Sequence, residues 1–214
     1  MAPPDPLAHK YTSLSPYAYC AANPVNFVDP DGKLYKKKIR GRSIIISAHY
    51  YVKRYDKESY RSVIIATDFW NKRKDTYISP SGIRYSVMYN LSVEVVDNLD
   101  TFQNHNTYQV VKSLDERPNA SGASKHKRTI YVLESYSLFL PKTKKISTTG
   151  AHEIGHTLGM SHDYYGIMSE SQDQHRTNEV TSKNIRQMLE SGEGIQDILT
   201  SIINIISKVY EQKK

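Results

Sequence analysis

The most regular pattern in the chain is an alternation of apolar and polar side chains over residues 84–96. A period of two puts neighbouring side chains on opposite faces of a strand, so the pattern predicts a long, half-buried β-strand. A strand of this length implies a sheet, whose other strands must come from shorter apolar runs. The residues predicted to face the core are Tyr85, Val87, Tyr89, Leu91, Val93 and Val95.

The shorter runs predict three more strands and a helix that lies on the sheet. Apolar side chains at helical spacing predict a helix over residues 58–72, for which Asp56 or Ser59 is a suitable N-cap. The polar, glycine-containing segment 119–127 is predicted to be a loop. The additional strands are predicted where apolar and β-branched residues cluster, at 43–48, 108–112 and 129–134.

The chain after residue 176 is predicted to be helical. Thr181 can cap a helix there, and Gly192 and Gly194 are expected to end it. The stripe beyond the glycines is expected to pack on the domain, with dimerisation or contact with a delivery partner as the alternatives. The first helix carries Ile185, Met188 and Leu189, and the stripe consists of Ile195, Ile198, Leu199, Ile202, Ile206 and Val209.

Composition and charge narrow the class of protein. Hydrophobic residues make up 38% of the chain and charged residues 24%, which is ordinary for a soluble globular domain. Cys20 is the only cysteine, so no intrachain disulfide can form and stability cannot depend on an oxidising compartment. The net charge of +7 is compatible with binding nucleic acid or an anionic surface, although a solvated basic face is the simpler interpretation.

Two further features bear on where the protein acts. No stretch approaches the roughly 18 apolar residues that a membrane helix needs, so no membrane span is expected. The N-terminus lacks the basic start and apolar run of a signal peptide. The protein is therefore expected either to remain cytoplasmic or to be exported by another route.

The residues most informative about chemistry form one short motif. Two histidines four positions apart lie on one face of a helix, so His152 and His156 can bind one metal ion. Glu153 points slightly aside, where it can act as a base on a metal-bound water. Gly159 can end the helix in the left-handed conformation, which brings His162 back as a third ligand. Three histidines leave a fourth coordination position open, the arrangement of a catalytic zinc site.

The extended pattern HExxHxxGxxH resembles that of the metzincin clan of zinc metalloproteases, and the resemblance covers roughly residues 43–190. It implies an α+β fold with a mixed, twisted β-sheet, a backing helix, an active-site helix and C-terminal helices. In that clan a methionine turn lies beneath the metal, and Met168 matches it here. Asp163, directly after the third histidine, resembles a residue that supports the ligands without binding the metal.

One position departs from the family pattern. Some metzincins have a tyrosine two residues after the methionine that helps to bind the metal or stabilise the oxyanion, whereas this chain has Glu170. Tyr164 and Tyr165 are near in sequence, but no motif transfers the role to either. The family's cleft lies beside an edge strand that pairs with an extended substrate. Thr129–Glu134 is the candidate for that strand, although it could equally be a central one.

A second resemblance covers the N-terminal residues. The string DPLAHKYTSLSPYAYCAANPVNFVDPDGK, Asp5 to Lys33, resembles the end of an RHS-repeat-associated core, which in that family is followed by a variable toxin domain. It implies a cognate immunity protein and delivery by a specialised secretion system. The implied parts are a core remnant at 1–33, a basic linker at 34–42, and a metalloprotease domain at 43–214 with C-terminal helices at 180–212.

Together these features predict a Zn²⁺-dependent peptidase that cleaves a protein or peptide substrate, as the toxic tip of an RHS-type system used against competing bacteria. Glu153 is the expected catalytic base, and the expected zinc ligands are His152, His156 and His162. Nucleic acid is not an expected partner of such an enzyme. The alternatives are a non-enzymatic, zinc-stabilised basic module that binds nucleic acid or a surface, and a housekeeping metallopeptidase.

Overall fold

The computed structural model describes residues 35–102, 105–114, 121–125, 128–170 and 176–190. Within these residues the protein is α+β, as predicted, with a mixed seven-stranded sheet and three α-helices. The strands are β1 Lys36–Arg40, β2 Ser43–Lys53, β3 Lys74–Ile78, β4 Arg84–Val96, β5 Asn106–Val111, β6 Gly122–Lys125 and β7 Thr129–Leu133. The helices are α1 Lys57–Asn71, α2 Thr149–Thr157 and α3 Ser182–Glu190.

The sheet has a parallel centre and antiparallel edges. Its order is β3-β4-β2-β5-β7-β6, in which β4, β2, β5 and β7 run parallel to one another. Strands β3 and β6 pair antiparallel at the two ends, and β1 pairs antiparallel with the first half of β2. Because parallel neighbours need a crossover, α1 follows β2 and packs back on the sheet before the chain returns through β3 and β4.

One core joins the sheet to all three helices. The inward side chains of β2 and β4 pack against Val63, Ala66 and Trp70 of α1, against Ile154 of α2, and against apolar residues of α3. The predicted apolar residues of α3 are all buried, namely Ile185, Met188 and Leu189. The helices therefore cover one face of the sheet, and α2 is held inside the core.

The helix caps agree with the sequence. Asp56 is the N-cap of α1, where its side chain accepts a hydrogen bond from the backbone N–H of Ser59 at 3.0 Å. This selects Asp56 from the two candidates. Thr181 precedes α3, and its hydroxyl accepts the backbone N–H of Asn184 at 3.2 Å.

The long alternating strand is confirmed except at its end. Tyr85, Val87, Tyr89 and Leu91 are buried as predicted, but Val95 is 38% exposed and Val96 is buried instead. The two residues are both valines, so the hydrophobic pattern of the sequence does not indicate where the inward face shifts.

The prediction of a basic linker at residues 34–42 is wrong at residues 36–40, which form strand β1. Its pairing runs from Lys36 opposite Ser47 to Arg40 opposite Ser43. Lys37 of this strand interacts with the C-terminus of α3, because its Nζ donates to the carbonyl of Leu189 in the last turn of the helix at 2.9 Å. A positive charge is favourable at a helix C-terminus. A run of basic residues is therefore part of the sheet and binds the helix behind it.

The prediction of a loop at residues 119–127 is also wrong in part, because this segment contains the edge strand β6. This strand pairs antiparallel with β7, with Ala123 opposite Tyr131. As a result β7 lies between β5 and β6. Residues Thr129–Leu133 therefore form an internal strand of the described sheet, which was the alternative given for this segment, and β6 forms the edge. Strand β3, which has no clear pattern of its own in the sequence, closes the other end of the sheet.

Three predictions concern residues outside the described part of the chain. These are the RHS-core remnant at residues 1–33, the end of the helix at Gly192 and Gly194, and the C-terminal apolar stripe at 195–209. Among the described residues, no helix has the length and apolar character required to cross a lipid bilayer.

Candidate metal centre

Helix α2, which carries the motif, is fixed in the core by two buried hydrogen bonds. The indole N–H of Trp70 donates to the carbonyl of Ala151 at 3.0 Å. The hydroxyls of Tyr50 and Thr157 lie 2.7 Å apart. These contacts bind the helix to both α1 and β2, so its direction is determined by two separate elements of the fold.

Glycines let α2 pack this closely. A Cβ at Gly150 would lie 2.2 Å from the hydroxyl of Tyr108, and a Cβ at Gly155 would lie 2.3 Å from the Sδ of Met168. Both distances are well below an ordinary contact of about 3.5–4.0 Å. Gly155, which lies between the two histidines of α2, therefore allows Met168 to pack directly against this helix.

The end of α2 has the geometry that turns the chain back. Gly159 has a φ of 87°, in the left-handed region that a glycine adopts without strain. Its N–H donates to the backbone carbonyl of His156, and the N–H of Met160 donates to the backbone carbonyl of Gly155. These are the two hydrogen bonds of a Schellman motif. The motif ends the helix where predicted and returns the next residues towards its ligand face.

The three predicted histidines meet at one point. The Nε2 atoms of His152 and His156 lie 3.2 Å apart. The Nε2 of His162 lies 3.1 Å from that of His156 and 3.3 Å from that of His152. These three side chains form the group among the described residues that can hold a metal ion, and they range from buried His152 to exposed His162.

The second nitrogen of each ring has an acceptor, which decides where the proton lies. The Nδ1 of His152 donates to the carbonyl of Ile167 at 2.8 Å, and that of His156 donates to the carbonyl of Met160 at 3.0 Å. The Nδ1 of His162 lies 2.7 Å from the Oε1 of Glu170. With Nδ1 protonated on every ring, each Nε2 presents its lone pair to the shared point.

The electrostatics keep the deepest ligand neutral. Burial, followed by the positive charge of Arg176, lowers the pKa of His152 well below its usual range. A neutral imidazole is the form that binds a metal, so the fold prepares this ligand before any ion arrives.

Met168 forms a tight turn under the site. The turn is closed by the N–H of Ser169, which donates to the carbonyl of Gly166 at 3.1 Å, and Met168 itself is fully buried. The N–H of Asp163 donates to the carbonyl of Met168 at 3.1 Å. The segment that follows the third histidine is therefore bonded to the methionine turn.

Asp163 supports this segment from its other side. Its Oδ2 accepts the hydroxyl of Thr181 at 2.7 Å, and its Oδ1 accepts the N–H of Tyr164 at 2.8 Å. The hydrogen bond from Thr181 is the main reason that the pKa of Asp163 is lowered. The carboxylate thus connects the loop after His162 to the start of α3, while Tyr164 and Tyr165 remain largely exposed.

Glu153 is buried beside the histidines, with 5% of its surface exposed. It faces the edge strand, because a Cβ at Gly122 would lie 2.8 Å from its Oε1. Strand β6 can come this close to the carboxylate only because it has a glycine there. Glu153 and the edge strand of the described sheet are therefore adjacent.

The sequence did not indicate Arg176, a second charged group near the centre. Its Nε and Nη2 donate to the carbonyl of Ser169 at 2.9 and 2.7 Å, whereas its Nη1 is buried and has no hydrogen-bond partner among the described residues. Burial lowers its pKa to about 10, an effect that the charge of Glu153 partly offsets. Arg176 is therefore protonated at neutral pH and places a positive charge close to Glu153 and His152.

Comparison with known proteins adds no family to this description. No protein-family model matches the chain, and neither a curated protein nor a solved structure matches it.

Proposed function

We propose that this protein is a zinc-dependent peptidase with a metzincin-like fold. The observation that carries the proposal is the triangle of three Nε2 atoms, with sides of 3.1–3.3 Å, beside a buried glutamate. Two nitrogens each about 2.05 Å from a tetrahedral zinc ion lie about 3.3 Å apart, so the three histidines fit zinc. An all-imidazole ligand set with one position left open also favours zinc in a catalytic role.

The histidines hold the metal, and the chain's own acid–base chemistry resides in Glu153. A bound zinc ion supplies Lewis acidity, which makes water more acidic and polarises the scissile carbonyl. Glu153 accepts the proton from the attacking water and later delivers it to the leaving amine. Only 5% of its surface is exposed, which strengthens its interaction with the reacting groups, since charges are poorly screened at a buried position.

Strand β6, the edge strand of the sheet among the described residues, is the proposed binding strand for the substrate. It lies at the end of the sheet and contacts α2, and its first residue, Gly122, packs against Glu153. An extended peptide can add to such an edge through backbone hydrogen bonds, which would place a peptide bond next to the base. Strand β6 replaces the earlier candidate, Thr129–Glu134, because residues 129–133 form β7, which is paired on both sides.

The proposed biological setting rests on the N-terminal string that resembles an RHS core. A peptidase that follows such a core fits the toxic tip of an RHS-type system delivered to competing bacteria, with a dedicated immunity protein in the producing cell. This setting is tested by the growth of a susceptible strain that expresses the chain, with and without co-expression of the immunity protein expected to be encoded by the neighbouring gene. Growth unaffected by active peptidase would contradict it.

The activity itself is tested with Glu153→Ala and His156→Ala. Glu153→Ala is expected to retain zinc but lose nearly all turnover of a peptide library, whereas His156→Ala is expected to lose zinc as well. The matched control is Glu94→Ala, which removes an exposed carboxylate from β4. Hydrolysis that persists in Glu153→Ala would rule out its role as the base. Salt-dependent binding of DNA without any hydrolysis would instead support the non-enzymatic alternative.

A further inference from the structure

The three ligands of the metal centre are not held in the same way. His152 and His156 belong to α2 and donate their Nδ1 protons to backbone carbonyls. His162 lies beyond the helix, in a segment without regular structure, and 43% of its side chain is exposed. Its Nδ1 meets the carboxylate of Glu170 at 2.7 Å. The third ligand is thus oriented by a side chain, and by the one that replaces the tyrosine of the family pattern.

We propose that Glu170 is the positioning residue of the metal centre, which holds His162 in the ligand geometry and so determines how tightly zinc is retained. This inference rests on the proposed function, since it assumes that the three histidines bind zinc. Glu170 acts through His162 and is not assigned a contact with metal or substrate.

The backbone brings the two residues together. Asp163 and Ser169 form an isolated β-bridge, and the N–H of Asp163 donates to the carbonyl of Met168. The bridge is parallel; His162 directly precedes one of its partners and Glu170 directly follows the other. The turn that buries Met168 therefore also delivers the carboxylate to the third histidine.

The carboxylate has two physical effects on the imidazole. It fixes the proton on Nδ1, which leaves the lone pair of Nε2 facing the other two histidines, and its negative charge favours a cation at that position. It also restricts the rotation of a side chain that would otherwise have to be ordered when the metal binds. Both effects favour the metal-bound state.

Exposure limits the electrostatic part of this interaction. The side chain of Glu170 is 75% exposed, so solvent and salt screen its charge. The hydrogen bond is expected to contribute at all salt concentrations and the charge mainly at low salt. Loss of a carboxylate behind a histidine ligand typically weakens metal binding by about 10–100-fold.

The experiment compares the zinc affinity of the full chain with that of Glu170→Ala and Glu170→Gln, by competition with a chromogenic chelator. Glu170→Ala is expected to bind zinc about 10–100-fold more weakly. Glu170→Gln should fall between it and the wild type, because the amide oxygen still accepts the Nδ1 hydrogen bond without carrying charge. The difference between Gln and the wild type should shrink as salt is raised.

Two further measurements separate positioning from a general structural role. The visible spectrum of the Co²⁺-loaded protein should change in Glu170→Ala, while the melting temperature of the metal-free protein should not, because the side chain is exposed. Glu94→Ala serves as the control for removal of a surface charge and should leave zinc affinity unchanged. Should Glu170→Ala fail to fold, the Gln variant alone decides through its affinity and its salt dependence.

A zinc affinity of Glu170→Ala within about twofold of the wild type would overturn the inference while leaving the peptidase proposal in place. A wild-type protein that binds zinc but cleaves nothing would overturn the peptidase proposal, and weakened zinc binding in Glu170→Ala would still support the role of Glu170. A wild-type chain that binds no zinc would overturn both.

Discussion

Gly122→Ala tests whether the edge strand and the base are as close as the structure shows. The added Cβ would lie 2.8 Å from the Oε1 of Glu153, and 3.0 Å from both its Cγ and the Cγ2 of Thr149. All three atoms belong to α2, on the side that faces β6. The substitution therefore acts on the carboxylate directly and leaves the three histidines in place.

Gly122→Ala is expected to lower both turnover and stability. Since an ordinary contact is about 3.5 Å or more, either Glu153 or the strand must move by about 0.5–1 Å. A misplacement of about 1 Å can cost roughly 100-fold in rate, so we expect turnover to fall by about 10–100-fold. Alanine in a strand gains about 0.5–1 kcal/mol over glycine, against an overpacking cost of about 1–3 kcal/mol, so the net loss of stability is about 0–2.5 kcal/mol.

The assay is steady-state hydrolysis of a peptide substrate, together with the zinc content and the melting temperature of each variant. Gly122→Ala should keep its zinc and lose rate. Ala123→Ser, one residue along the same strand, is the control, because its side chain points to the opposite face of the sheet and should leave turnover intact. Full activity in Gly122→Ala would show that β6 does not approach Glu153, and would refute the proposed substrate strand.

Two further perturbations address the ligand loop and the metal. Gly159→Ala should lower the free energy of unfolding by about 1–2 kcal/mol, because its φ of 87° strains any residue with a Cβ, and Gly159→Asn should cost less. Denaturant unfolding measures both, and equal stability of Ala, Asn and wild type would contradict the cap. Zinc at about 100 times its dissociation constant should stabilise the protein by about 2.7 kcal/mol, or roughly 5–10 °C in melting temperature. A chelator should remove that gain, and His156→Ala should show none; a gain retained in His156→Ala would place the zinc elsewhere.

The short edge strands show where reading the sequence fails. Strand β6 has four residues, Gly-Ala-Ser-Lys, and β1 is mostly basic, so neither carries an apolar alternation. Both form because a longer neighbour offers free backbone donors and acceptors, a property of β7 and β2 and not of the edge strands themselves. Polar and charged edges also resist pairing with other chains, which favours such compositions there.

The supporting groups of the metal centre were missed for a related reason. In the sequence Glu170 stands out only as a departure from the metzincin pattern, and no sequence pattern indicates Arg176. Each acts on a ligand or base that is 8 or more positions away in the chain, and their contacts depend on the turn around Met168. No local periodicity reports a contact of that kind.

The sequence by itself determined the local geometry of the metal centre. Histidines four positions apart share a helix face, and a glycine three residues further on ends that helix, because both follow from the period and the termination chemistry of an α-helix. Only the tertiary structure decided which strand lies against Glu153, which carboxylate orients His162 and that Arg176 lies nearby. Those relations arise when separate elements pack on one sheet, and packing is set by the shapes and charges of distant residues, which hydrophobic periodicity along the chain does not record.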